Sequence, residues 1–423
     1  MSGPVANNIF RSSGVIAAAA GGLSWQTVVT ASTLTASAGN GYWINTTSNA
    51  CTITLPGSAV AGDQIIFVDY ARTWGTNAII IDSNGLNFQG ETDVYTVDYD
   101  TSGQAVNLVY SGATIGWTPS SDIVNALEPV APPTQKGIFA FGNSGSAVSM
   151  SNLMNSSGVI ASDVTGVGSA RSNLGATSYG GDKAIFAFGS TGSYSNITNL
   201  VSNSGVVASD TSGVGTVRVS SPATTFGTSG QAIFAYGYAS SPTNISNKVS
   251  GAGVMATDTA GVGTARYDPA AASYGVGLGI FGFGNASGSG TAITNLVSSS
   301  GVISADVAGV GTGREAPAAT SYGGDKAIFA YGTTPGVGTQ SMSNKVSNTG
   351  VVASDTSGVG TVRYLLAASG YGGDKGAFAY GRDGGTRYSI KNLISNTGVV
   401  ASNTTGVGTA RSNLGGAGYS ISA

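Results

Sequence analysis

The chain has 423 residues, a formal net charge of −3, no histidine and one cysteine, and only 9% of its residues are charged. This excludes histidine-based catalysis and histidine metal centres, an intrachain disulfide, and a basic surface for nucleic acid. With 41% apolar residues and 67 glycines, the composition fits a turn-rich all-β protein rather than a charged disordered chain.

Residues 1–38 are small and polar without a period, and read as an arm that orders against a partner. The apolar run Val15–Ala20 is short for a signal-peptide core. No stretch approaches the ~20 apolar residues of a membrane span, so no membrane insertion is expected. Residues 39–121 form a separate β unit. Cys51–Thr54 and Ala105–Tyr110 alternate apolar and polar side chains, Gln64–Asp69 and Ala78–Ile81 are apolar runs of strand length, and Asn84-Gly85 predicts a hairpin turn. Three prolines between Glu128 and Pro133 mark residues 122–135 as a stiff linker.

Residues 136–423 are repetitive. An aromatic-glycine pair ends the segments at Phe141-Gly142, Phe188-Gly189, Tyr236-Gly237, Phe283-Gly284, Tyr331-Gly332 and Tyr380-Gly381, spaced 47, 48, 47, 48 and 49 residues apart. Arg171, Arg218, Arg266, Arg314, Arg363 and Arg411 keep nearly the same beat. Such a period marks stacked or radial units, none of which buries its apolar face alone. One repeat divides into four strands: Asn173–Tyr179, Lys183–Phe188, Ile197–Val201 and Val206–Ser209. First strands carry small residues, as strands converging on an axis should; second strands are apolar throughout, as strands covered on both faces should be. This describes six blades of a β-propeller. The region starts at a second strand, Gly137–Phe141, and ends on a lone first strand, Gly415–Ile421, so the two fragments are expected to pair and close the ring.

Ala170-Arg-Ser-Asn-Leu-Gly-Ala-Thr-Ser-Tyr-Gly-Gly181, followed by Lys183-Ala-Ile-Phe-Ala-Phe-Gly189, resembles a kelch repeat. It departs from that family in having one glycine after the second strand and no fourth-strand tryptophan. It also has some likeness to propellers of the chromosome-condensation-regulator type. The 39–121 unit, with Gly41-Tyr-Trp-Ile-Asn-Thr-Thr47, Ile53-Thr-Leu-Pro56, Gly62-Asp63, Asn84-Gly85 and Gly116-Trp117, resembles modules of tailed-phage fibres. The Gly-Val-Gly-Thr-Ala-Arg repeats resemble those of fibre proteins of marine, including cyanobacterial, phages. The resemblances imply an all-β chain with a small β-sandwich-like fibre domain followed by a six-bladed kelch-like propeller closed by the C-terminal strand. They imply a non-enzymatic adhesin on the virion surface. Its arm would attach to other virion proteins and its propeller to a host glycan or protein receptor, with assembly as a homotrimer and no cofactor.

Gly166-Val-Gly168 and its copies read as crossings between blades, not phosphate loops, since no helix follows. Asp163, Asp210, Asp258, Asp306 and Asp355 each stand eight residues before a marker arginine, with Asn403 in the sixth copy. Paired Asp-Arg contacts within or between blades are expected. Asp93, Asp98 and Asp100 read as a solvated loop. The spans from marker glycine to third-strand asparagine run 10, 10, 10, 11, 12 and 11 residues. The contents of these spans, and the residues just after each arginine, vary most on one end of the scaffold. Tyr194, Tyr238, Tyr267, Tyr364, Arg382, Asp383, Arg387 and Tyr388 are therefore the expected receptor contacts. Two other readings stay open: a decoration fibre that only spaces or stabilises the particle, and a glycan-degrading enzyme, which would require two positioned carboxylates.

Overall fold

The computed structural model describes residues 23–91, 96–120 and 135–420. The chain is all-β, with no helix among the described residues. It divides into two compact units, 1–132 and 133–423.

The first unit holds β1 (Ser24–Trp25), β2 (Thr33–Thr35), β3 (Asn40–Ile44), β4 (Cys51–Thr54), β5 (Gln64–Asp69), β6 (Ile79–Asp82), β7 (Thr96–Tyr99), β8 (Ala105–Tyr110) and β9 (Trp117–Pro119). They form two sheets, β1-β3-β5-β8-β9 and β2-β4-β6-β7, with parallel pairs at the start of each and antiparallel pairs at the end. One core joins the sheets, with Ile44, Ile53, Ile65, Phe67, Trp74, Ile79, Leu108 and Trp117 buried. Burial pushes the Cys51 thiol up to about 11, so it stays a protonated core group.

Three expectations are corrected here. Residues 23–38 belong to this unit rather than to an arm: β1 pairs with β3, Trp25 stacks on Trp43 at 4.4 Å, and β2 pairs with β4. Ring stacking and ladder bonds hold what composition alone marked as loose. Asn84 and Gly85 do turn at positive φ, but β6 then pairs with β7 instead of an adjacent hairpin strand. Asp98 lies on β7, not in a loop, and burial, with repulsion from Asp100, raises its pKa. Asp93, residues 1–22 and most of the predicted linker lie outside the described residues.

The second unit contains, among the described residues, six three-stranded antiparallel sheets. Sheet 1 is Gly415–Tyr419, Lys136–Ala140 and Ser151–Met154; sheet 2 is Gly175–Tyr179, Lys183–Ala187 and Thr198–Val201. Sheet 3 is Ala223–Phe226, Gln231–Ala235 and Ser246–Val249; sheet 4 is Ala270–Tyr274, Leu278–Gly282 and Thr294–Val297. Sheet 5 is Ala318–Tyr322, Lys326–Ala330 and Ser343–Val346; sheet 6 is Ala367–Tyr371, Lys375–Ala379 and Lys391–Ile394. In sheet 1 the first strand comes from the far end of the unit, and Ile138 stands opposite Ala417.

Apolar cores lie between successive sheets. Phe141, Phe186 and Tyr419 belong to one shared by sheets 1 and 2; Phe139, Tyr371 and Tyr380 belong to one shared by sheets 6 and 1. Second strands are buried on both faces, which explains their unbroken apolarity. The aromatic ending a first strand packs on a turn glycine of the next sheet: a Cβ on Gly205 would sit 2.7 Å from the Tyr419 hydroxyl, and one on Gly253 would sit 2.8 Å from the Tyr179 ring.

The fourth strand of each repeat is not a strand. The expected Val206–Ser209 segment meets the third strand only at isolated bridges, Val207 with Val201 and, further on, Thr211 with Thr198. The reason is a side chain. The amide of buried Asn199 donates to the Ala208 carbonyl (2.9 Å) and to Asp210 Oδ1 (2.9 Å), so a side chain takes the place of a ladder bond. Asn152, Asn247, Asn295, Asn344 and Asn392 repeat the arrangement.

Candidate functional site

The marker pair positions one end of the scaffold. Phe188 has φ 64° and Gly189 φ 101°. A Cβ on Gly189 would lie 2.7 Å from the Ser172 carbonyl, so only glycine turns there. The turn aims the Phe188 carbonyl at Arg171 Nε (3.0 Å) and leads into the variable loop.

All six marker arginines are fully buried, and they join neighbouring sheets. Arg218 lies 3.8 Å over the Phe188 ring of sheet 2 and donates to Tyr236 O (3.1 Å) and Asn247 Oδ1 (2.7 Å) of sheet 3. Its Nη1 is 4.0 Å from Asp258. Arg411 lies over Tyr380 of sheet 6 and donates to Phe141 O and Phe139 O of sheet 1. Burial lowers the pKa of Arg171, Arg218 and Arg314 to about 10, leaving them charged at neutral pH. Each repeated aspartate is also anchored by the crossing segment: Thr216 donates its N–H and Oγ1 to Asp258, and Thr409 does the same to Asp163. Burial raises the pKa of these carboxyls, but the hydrogen bonds and the arginine outweigh it and hold them below the usual range.

Variable loops and crossings meet on one end. The residue after each marker arginine bridges the residue after the next marker glycine: Ser172 with Ser190, Val219 with Tyr238, Tyr267 with Asn285, Glu315 with Thr333, Tyr364 with Arg382, and Ser412 with Asn143. On this end Tyr194, Tyr238 and Tyr267 form an edge-to-face series, with centroids 6.3 and 5.6 Å apart. Tyr194 is 41% exposed; the other two are half-buried. Arg382 stands 5.6 Å from the Tyr364 ring centroid, and its guanidinium folds onto Gly384 O.

The remaining expected contacts have internal partners. Asp383 accepts from Thr339 Oγ1 (2.7 Å) in the neighbouring loop, and Arg387 donates to Asn143 Oδ1 (2.8 Å). Tyr388 bonds through its backbone to Gly381 O. The eight residues thus form an aromatic group, an Arg-Tyr pair and a set of loop ties rather than one site.

Sequence reasoning missed a second set on the same end. The second residues after the arginines, Asn173, Ser220, Asp268, Ala316, Leu365 and Asn413, all have φ between 51° and 59°. Their backbones link in succession: Ser220 N to Asn173 O, Asn173 N to Asn413 O, Asn413 N to Leu365 O, Leu365 N to Ala316 O, and Ala316 N to Asp268 O. They line a cavity of about 130 Å³ that all six first strands also border. The available signal was a change of residue type at a fixed offset inside an otherwise constant frame.

A second cavity, about 340 Å³, opens among the hydroxyls of Thr177, Ser178, Thr224, Ser273, Thr320 and Ser369. Gln135 lines it, and its carbonyl accepts from Gly372 N (2.8 Å) in a hairpin of sheet 6, so the chain enters the unit at this hairpin end. Among the described residues no three acidic or cysteine side chains gather as metal ligands would. The sequence matches no protein-family model and no curated protein.

Proposed function

We propose that the second unit is a six-bladed, kelch-like β-propeller closed by its C-terminal strand, and that the chain is a virion fibre or adhesin whose propeller loops bind a host-surface glycan. The observation that carries the reading is the Tyr194, Tyr238, Tyr267 series on the end where the repeats differ. Aromatic faces take the C–H faces of sugars, and the phenols at their rims offer hydrogen bonds. The scaffold beneath is rigid, with fully buried arginines joining its sheets, which lowers the ordering cost of binding. The closing of the propeller is supported by the pairing of Lys136–Ala140 with Gly415–Tyr419 and by the Thr409–Asp163 contact. The fibre reading rests on the sequence resemblances, with the first unit as stem and residues 1–22 as the virion attachment.

The test is host-cell adsorption and glycan-array binding by the full chain. Tyr238→Ala should lower both at least tenfold without changing the melting temperature. Unchanged adsorption would leave the decoration-fibre reading in its place, and release of reducing sugar from host envelope would replace both with a hydrolase. Individual sugar contacts are weak, so we further propose a homotrimer that gains strength by avidity; a mass measurement giving only monomers would remove that part.

A further inference from the structure

The cavity bordered by the six first strands has a chemistry that stacking on tyrosines does not use. In succession round its mouth, Asn413, Asn173, Ser220 and Asp268 are polar, and Ala316 and Leu365 are apolar. Asp268 is the one charged residue in the lining. No lysine or arginine is paired with it among the described residues. The groups that act on its charge are the Ser220 hydroxyl, which favours the carboxylate, Glu315, which repels it, and the adjacent Tyr267. Burial, with Glu315 adding to it, pushes its pKa up to about 6 from an ordinary 3.8. A carboxylate in a narrow cavity without a countercharge is costly to ionise, and a cation from outside relieves that cost.

The size and lining narrow the cation. A divalent metal takes about six to eight closely placed oxygens, and no three acidic side chains gather here among the described residues. The cavity has room for several water-sized groups, and one side of it favours carbon. We infer that this cavity binds a primary ammonium carried on a small carbon frame, with the ammonium on Asp268, an oxygen partner from Ser220, and the frame against Leu365 and Ala316. An amino sugar and an ethanolamine headgroup both present this chemistry. The inference rests on the receptor reading only for the step that makes the ammonium part of a host-surface glycan.

The experiment is calorimetric titration of the full chain with glucosamine, N-acetylglucosamine, glucose and ethanolamine at about pH 7. Glucosamine should bind at least tenfold more tightly than glucose or N-acetylglucosamine. Its binding should weaken about tenfold by pH 5, as Asp268 takes up its proton. Ethanolamine binding more tightly than glucosamine would keep the ammonium site and assign it to a headgroup. Asp268→Asn should abolish glucosamine binding with an unchanged or raised melting temperature. If that variant unfolds, Leu365→Phe, which fills the cavity and keeps the carboxylate, should block binding instead. Equal binding of N-acetylglucosamine, no ammonium binding by the parent chain, or full binding by a folded Asp268→Asn variant would overturn the inference. Tyr238→Ala should still bind glucosamine, so a failure of the loop reading and a failure of this site give different results.

Discussion

A guanidinium removed from water is costly unless its faces and N–H groups find partners, and Arg218 finds the Phe188 ring, two carbonyls, Asn247, the Ser221 hydroxyl and Asp258. Arg218→Met removes the cation, leaves Asn247 Oδ1 without its donor and takes the countercharge from Asp258 at a sheet junction. We expect a loss of about 3–5 kcal/mol, read from the urea midpoint of the second unit. A loss under about 1 kcal/mol would mean the arginines mark the repeat without holding it. The aspartates are less demanding, because the sixth copy works with an amide: Asn403 accepts from Thr361 N and donates to Thr361 Oγ1. Asp355→Asn should therefore cost only about 0.5–1.5 kcal/mol. A cost as large as that of Arg218→Met would show that the charge, not the hydrogen-bond geometry, holds the contact.

At the scale of the element, the strand from the far end of the unit carries most risk. Gly415–Tyr419 supplies one edge of sheet 1 and places Ala417 and Tyr419 in the core shared with sheet 2. Deleting residues 415–423 strips both contacts, so the melting temperature of the second unit should fall by ten degrees or more. An unchanged melting curve would show that sheet 1 does not need this strand. The first and second strands were legible because their patterns follow from burial: Lys183–Phe188 was read where Lys183–Ala187 stands, and the hairpin at Gly180-Gly181 forms at positive φ. The fourth strand was misread because Val206–Ser209 has strand-like composition, and nothing local shows that Asn199 is buried and turned toward that edge. Tyr194, Tyr238 and Tyr267 could be picked out individually, but their mutual contacts depend on two bridges between distant segments. Asp268 was illegible as a site residue because its neighbours in space, Ser220 and Glu315, sit about one repeat away in sequence.

For the whole molecule, acid response separates two kinds of carboxyl. Asp163, Asp210, Asp258, Asp306 and Asp355 have folded pKa values below the unfolded one, so their contribution is present above about 3.8 and is lost as pH falls through the folded values. Asp268 has the opposite sign. Its folded value of about 6 lies above the unfolded one, so protonation favours the folded state and its contribution grows as pH falls from above 6 toward 3.8. Melting temperature should thus be level or rise slightly from pH 7 to 5, then fall steeply below about pH 4 as the contacts at five of the six sheet junctions lose charge together. A melting temperature that keeps climbing through pH 3 would contradict the lowered aspartates.

One consequence of the way the chain enters the second unit is mechanical. The incoming backbone at Gln135 continues into Lys136–Ala140, which is the middle strand of its sheet, paired at five positions with Gly415–Tyr419 and at four with Ser151–Met154. Tension transmitted through residue 135 therefore runs lengthwise along a strand gripped from both sides, and those ladder bonds must shear together instead of peeling one by one. An edge strand in that place would unzip under a far smaller pull, so a unit tugged by its tether resists best at the very strand on which the load arrives.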